Sequence, residues 1–156
     1  MNIVKNMARE QYQGIVNYAA GQLRSVKIPK EGWVAAVRKA LGMSGAQLAR
    51  RLDVSRAQVT KTEQGELAGT VTLNTMQSMA QAMGCRFVYA IVPEGRIEDI
   101  LMERAAVKSE RRVKTAGTHA ALEDQALSNE QMAREIERLT DQLLRDMPPD
   151  FWNDEG

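Results

Sequence analysis

The sequence predicts a mainly α protein, in which a helix-turn-helix is followed by one β-strand and then by C-terminal helices. Three observations carry this reading. Residues 43–65, MSGAQLARRLDVSRAQVTKTEQG, read as two short helices about a tight turn. Elsewhere apolar residues recur at steps of three and four, the helical period. Residues 85–92, CRFVYAIV, form the one run rich in β-branched and aromatic residues, and Pro93 stops it.

In chain order, residues 1–23 place Ile3, Val4, Met7, Ile15, Val16, Ala19 and Leu23 roughly on one stripe, weakened by Gly14. That stripe needs covering by the domain or by a second copy of the chain. Pro29 breaks the helix, because proline disfavours the α conformation in the residue before it. A second helix opens near Glu31 and runs to Leu41 with Trp33, Val34, Val37 and Leu41 inward, and Gly42 ends it. In the helix-turn-helix, Leu48, Ala49 and Leu52 mark the inner face of the first helix and Val59 that of the second, with Val54 closing the turn. Ser44 is an N-cap whose capping box is completed by Gln47; Ser55 caps the second helix and Gly65 is its expected stop. A further helix over 73–83 buries Leu73, Met76, Met79, Ala80 and Met83 and is capped by Gly84.

A lone strand leaves backbone groups unpaired. Pairing with the same strand of another copy is the simplest solution, which makes Phe87, Tyr89 and Ile91 dimer residues and Cys85 a small buried one. Beyond Pro93, residues 97–114 read as a helix with Ile97, Ile100, Leu101 and Ala105 on one side. Its charged residues Arg104, Lys108, Arg111, Arg112 and Lys114 are expected on a solvated face. Gly117 interrupts, and helix resumes over 118–127. A capping box at Ser128 and Gln131 opens a last helix to about Met147, with Met132, Ile136, Leu139, Leu143 and Met147 in a stripe. With no core of its own in reach, that stripe is a candidate partner groove. Phe151 and Trp152, in an acidic tail, either dock back or insert into the partner. The expected organisation is therefore an N-terminal helix over 1–28, a DNA-binding domain over 29–84, a strand over 85–93 and a partner-binding region over 94–156.

The totals fit a soluble globular chain: 156 residues, 44% hydrophobic and 26% charged, with aromatics at 4% and nine methionines pointing to a small aliphatic core. The net charge of +1 hides an uneven distribution. From Lys27 to Lys61, Lys27, Lys30, Arg38, Lys39, Arg50, Arg51, Arg56 and Lys61 stand against only Glu31 and Asp53. From Asp141 on, Asp141, Asp146, Asp150, Asp154 and Glu155 stand against Arg145. A basic front half and an acidic tail imply two different partners. The single cysteine excludes an internal disulfide, and no run is apolar enough for a signal peptide or a membrane span, so a cytoplasmic protein is expected. His119 is the only histidine. No nucleophile–base spacing, phosphate loop or metal motif appears, so neither an enzyme nor a cofactor is expected.

Residues 43–84 resemble phage-repressor-like helix-turn-helix domains, five-helix units that bind operators as dimers; Leu48, Ala49, Leu52, Val54, Ser55, Val59, Glu63, Gly65 and the helix over 73–84 carry the likeness. Over roughly residues 20–156 the chain also looks like the group called mobile mystery protein A, on the run from Gly32-Trp33 through RKALGMS, QLARRL, LNTM and MGCRFVYAIVP to Phe151-Trp152-Asn153-Asp154-Glu155. Genes of that group typically adjoin one for a Fic-domain protein, mobile mystery protein B. The resemblance implies an antitoxin that binds its own promoter and a Fic toxin. The alternatives are an interaction module that neutralises its partner without specific DNA binding, or a plain phage or plasmid repressor. Two positions depart from the repressor pattern. Gly45 stands where a phosphate-gripping Gln is usual, and Asp53 replaces the turn's Gly, although Asp tolerates the left-handed conformation. The inhibitory pattern [ST]xxxE[GN] of some Fic antitoxins is absent: Thr62 to Glu66 begins it but Leu67 breaks it.

In this motif the start of the second helix faces base edges. The DNA-binding residues expected are Ser44, Gln47, Ser55, Arg56, Ala57, Gln58, Thr60 and Lys61. Arg56 suits guanine O6 and N7, Ala57 a thymine methyl, and Gln58 an adenine or a phosphate. Ser44, Arg50 and Lys30 suit the backbone. Arg50 and Arg51, adjacent on a helix, cannot both face DNA. The partner-binding residues expected are Met132, Ile136, Leu139, Leu143, Phe151 and Trp152.

Overall fold

The computed structural model describes residues 2–124 and 127–154. Among them are seven helices: α1 (Ile3–Leu23), α2 (Trp33–Ala40), α3 (Gly45–Leu52), α4 (Arg56–Ala68), α5 (Leu73–Ala82), α6 (Ile97–Leu122) and α7 (Asn129–Asp146). There is no β-strand among the described residues. The residues up to Arg24, with those from Ile91 onward, form one compact unit, and Ser25–Ala90 form another.

In the Ser25–Ala90 unit, α2 to α5 enclose Val34, Leu48, Ala49, Val59, Met76, Met79 and Met83, with Val37, Met43, Leu52, Val71 and Phe87 packed around them. Its helices start where capping side chains satisfy free amides. The Ser44 hydroxyl accepts from the Gln47 amide at 3.1 Å while Gln47 Oε1 accepts from the Ser44 amide at 2.7 Å. The Ser55 and Thr72 hydroxyls cap α4 and α5 by accepting from the Gln58 and Thr75 amides, each at 3.1 Å, without the return bond. Asp53 ends α3 in the left-handed conformation (φ 55°, ψ 45°), as its short polar side chain permits. Helix α2 has no cap of its own. Glu66, from α4, supplies one: its carboxylate accepts from the Trp33 amide at 2.5 Å and the Val34 amide at 3.0 Å.

Four expectations for this unit are corrected. First, α4 does not stop at Gly65 but continues to Ala68, with Gly69 in the left-handed region at its end. Gly65 is small because the chain folds back over it: Thr70 and Val71 donate to its carbonyl, and a Cβ there would lie 3.2 Å from Thr70 Oγ1. Second, α2 turns Val34 and Ala35 inward, leaving Trp33 and the post-helical Leu41 substantially exposed. Third, residues 85–92 form no strand. β-Propensity becomes a strand only beside a second strand that pairs with it; instead Phe87 packs on the helical core and stacks on Tyr89, ring centroids 5.9 Å apart. Fourth, Cys85, without a ladder to cover it, is exposed.

In the other unit α6 and α7 pack against each other and the chain after α7 folds back on them. Helix α1 meets α6 near its own C-terminal end. Asn17 Oδ1 accepts from the Ile97 amide at 2.9 Å, and its Nδ2 donates to the Glu98 carboxylate at 2.9 and 3.2 Å. Arg24 donates to the Gly95 carbonyl and Ala20 is buried. Helix α6 opens with Glu98 and Asp99 in its first turn, where the helix dipole favours acid. A bond from its own backbone amide, then Asn17, then Arg96 hold the Glu98 carboxyl below the usual carboxylate range.

Here too the structure departs from expectation. Gly117 does not interrupt α6; the Met132 methyl of α7 occupies the space a Cβ would approach, at 3.4 Å. The helix ends at Leu122, and residues 125–126 of the expected helix over 118–127, like Glu155 of the tail, lie outside the described residues. Lys108, expected on a solvated face, is buried, and Arg104 and Arg112 are partly covered. Spaced one turn apart, these three hold the tail. Arg104 donates to the carbonyls of Phe151 (2.8 Å) and Asn153 (2.6 Å) and pairs with Asp154 at 3.2 Å. Lys108 donates to the carbonyls of Asp150 and Asn153, and Arg112 pairs with Asp150 at 3.1 Å. The capture seats Phe151, 1% exposed, in a core with Ala105, Leu143, Leu101, Leu139, Leu144 and Met147. Burying such a ring is worth about 2–3 kcal/mol.

Candidate nucleic-acid interface

Helices α3 and α4, joined at Asp53, present a polar face whose inner side is fixed. Val59 is fully buried, Thr62 is buried and donates to the Gln58 carbonyl at 3.0 Å, and Glu63 binds Arg38 at 2.7 Å. Arg38 also donates to the Met43 carbonyl at 3.1 Å, so this basic residue braces α2, α4 and the loop before α3 instead of facing solvent. Of the adjacent pair on α3, Arg51 donates to the Ala82 carbonyl at the end of α5 at 2.6 Å. Arg50 remains exposed and unbonded among the described residues.

Of the expected DNA-binding residues, Ser55, Arg56, Ala57, Gln58, Thr60 and Lys61 are all exposed, interrupted only by Val59. Ser55 is engaged as N-cap and Thr60 donates to the Arg56 carbonyl at 3.3 Å. The Arg56 and Lys61 side chains make no hydrogen bond or ion pair among the described residues. Ser44 and Gln47 are exposed but committed to their capping box, with the Gln47 amide nitrogen left over. Gly45 has nothing within 4 Å of the place a Cβ would take, so packing does not impose glycine there. The exposed cations Arg50, Arg56 and Lys61 lie on this two-helix unit, with Arg56 in the first turn of α4, an arrangement suited to anionic ligands.

Residues 34–89 match a family model described as helix-turn-helix. This segment is a helix-turn-helix domain. No curated protein and no solved structure matches the chain. A domain of this kind suggests a DNA-binding regulator in general and is itself non-catalytic. Among the described residues no group of three or more His, Cys, Asp or Glu is placed to hold a metal ion, and no helix is long and apolar enough to cross a membrane.

The other expected sites are distributed differently. Leu143 and Phe151 are buried and Leu139 is packed in the core of the second unit; Met132 and Ile136 are half-buried on α7. Trp152 alone of that set is largely exposed, edge-on to Phe151 at 5.1 Å. Of the residues expected in a dimer strand, Phe87 is partly buried in the helix-turn-helix domain while Tyr89 and Ile91 are exposed. Sequence reasoning missed the roles of Glu66, Arg38 and Arg51, whose partners lie 25 to 33 residues away along the chain. These partnerships are tertiary facts with no local signal.

Proposed function

We propose that α4 reads a DNA operator and that the protein is a sequence-specific transcriptional regulator. The observation that carries this is the run Arg56, Ala57, Gln58, Thr60 and Lys61, exposed and with both cations unpaired, at the start of the second helix of a helix-turn-helix. Arg56 supplies two donors in the fork geometry that guanine matches, and Lys61 and Arg50 supply charge for phosphates. Ser44 and Gln47 then act at the backbone through the first turn of α3. The test is a gel shift on operator variants selected from random duplexes. Arg56→Ala is expected to cost about 1–3 kcal/mol on the selected site and to relax preference at one base pair. An equal loss on every sequence would remove the base-reading role, and no specific site for the wild-type chain would favour a pure interaction module.

The likeness to mobile mystery protein A extends this reading to an antitoxin that represses its own operon and restrains a Fic-domain toxin. Because most of the α7 stripe is engaged within the chain, Trp152 is the residue of the expected partner set best placed to meet another protein. Toxin activity measured with and without this chain distinguishes an antitoxin from a plain phage or plasmid repressor.

A further inference from the structure

Helix α1 presents one long face that nothing covers. Ile3, Val4, Met7, Ile15 and Tyr18 are between 58% and 75% exposed. Buried Ala20 lies on the other side of the helix, and Asn17, which bonds to the start of α6, borders the open face beside Gly14 and Gly21. Along the open face, Val4, Met7, Gln11, Gly14, Tyr18 and Gly21 follow one another at alternating steps of three and four residues, the spacing of a helix–helix seam. Ile3 and Ile15 border it, and the seam holds no charged residue. Gly14 and Gly21 have nothing within 4 Å of a Cβ position, so both are open notches.

We propose that this face pairs with α1 of a second copy of the chain, antiparallel, about a two-fold axis near the middle of the helix. The order of residues favours that occupant over any other helix. Reversed against itself, the seam sets Val4 opposite Gly21, Met7 opposite Tyr18 and Gln11 opposite Gly14, and the axis repeats each pair. The two glycines each face a larger side chain, so the notches are filled, as an isologous interface requires of one surface used twice. A parallel pairing stacks Gly14 on Gly14 and Gly21 on Gly21, leaving voids, and Tyr18 on Tyr18. The absence of charge on the seam removes like-charge repulsion between copies. From Val4 to Gly21 the seam runs about 25 Å. Two such faces bury on the order of 1,000 Å², the lower edge for a specific interface. The proposal is independent of the DNA-reading role.

Light scattering of the full chain at tens of micromolar is expected to give the dimer mass, and Tyr18→Glu or Met7→Glu the monomer mass. All seam positions are exposed, so these variants are expected to keep the wild-type helical circular dichroism, which checks their folding. In a Cys85→Ser background, Val4→Cys and Gly21→Cys chains are expected to form disulfide-linked dimers when mixed and not when oxidised separately, because like positions then lie about 25 Å apart. Crosslinking of Val4→Cys alone would indicate parallel pairing and overturn the proposal. A wild-type monomer would overturn it, as would a dimer that survives Tyr18→Glu but is lost in Ile91→Lys. Seam-dependent capture by lipid vesicles without self-association would assign the face to a membrane instead.

Discussion

Glu66 shows how one carboxylate can define a helix that lies far from it in sequence. Gly32 precedes α2 with φ 87° and contributes no side chain, so the first amides of α2 are satisfied from α4. The positive φ favours glycine at Gly32, and a Cβ there would also lie 2.8 Å from Glu66 Oε2 and push the capping carboxylate aside. The bonds are charge-assisted and sit at the positive end of the α2 dipole. Glu66→Ala is therefore expected to lower stability by about 1–2 kcal/mol in urea unfolding, with Glu66→Gln in between because it keeps an acceptor without the charge. An unchanged midpoint in Glu66→Ala would show that water replaces the cap at no cost. None of this was legible in the sequence, where Glu66 drew notice only as the end of a broken motif. By contrast the caps made by Ser44, Ser55 and Ser128 were readable, because donor and acceptor lie three residues apart.

At the scale of elements, the same locality decides which expectations hold. Helical periodicity and caps placed α3, the start of α4, α5 and α7 correctly. Glycine misled twice: Gly65 and Gly117 lie inside helices, kept small or open for the chain crossing over them and for Met132. The strand failed because propensity cannot reveal whether a pairing segment exists. The captured tail was half legible: its aromatics were noticed, but the Arg104–Lys108–Arg112 ladder read as a solvated face. The junction of α1 with α6 depends on a titrating group. Because the Glu98 carboxyl is held low in the folded protein, its contribution is present above the ordinary carboxylate pKa and is lost as pH falls through the depressed folded value. Carboxyl NMR titration is expected to find Glu98 titrating below the ordinary glutamate value, and Asn17→Ala to move it upward. A Glu98 titration that ignores Asn17→Ala would mean that the side-chain bond contributes little beside the backbone one.

For the whole molecule, the uneven charge noticed in the sequence resolves into two different uses. Asp150 and Asp154 of the acidic tail find partners within the chain, on α6, whereas Arg50, Arg56 and Lys61 on the helix-turn-helix keep their charge open. If α4 reads one half-site and α1 joins two copies, the two proposals are linked by mass action: a dimer engages its second half-site at the effective concentration set by the first. Tyr18→Glu leaves every α4 residue intact, so its affinity for a single half-site is expected to equal that of the wild type. On a duplex carrying two half-sites about one helical turn apart, it is expected to bind about 100-fold or more weakly, and with a shallower dependence on salt, because fewer phosphates are neutralised per bound species. Equal loss on both duplexes would mean that the substitution disturbs the domain itself. Equal retention on both would mean that operator binding draws nothing from the α1 pairing, whatever the oligomeric state of the free protein.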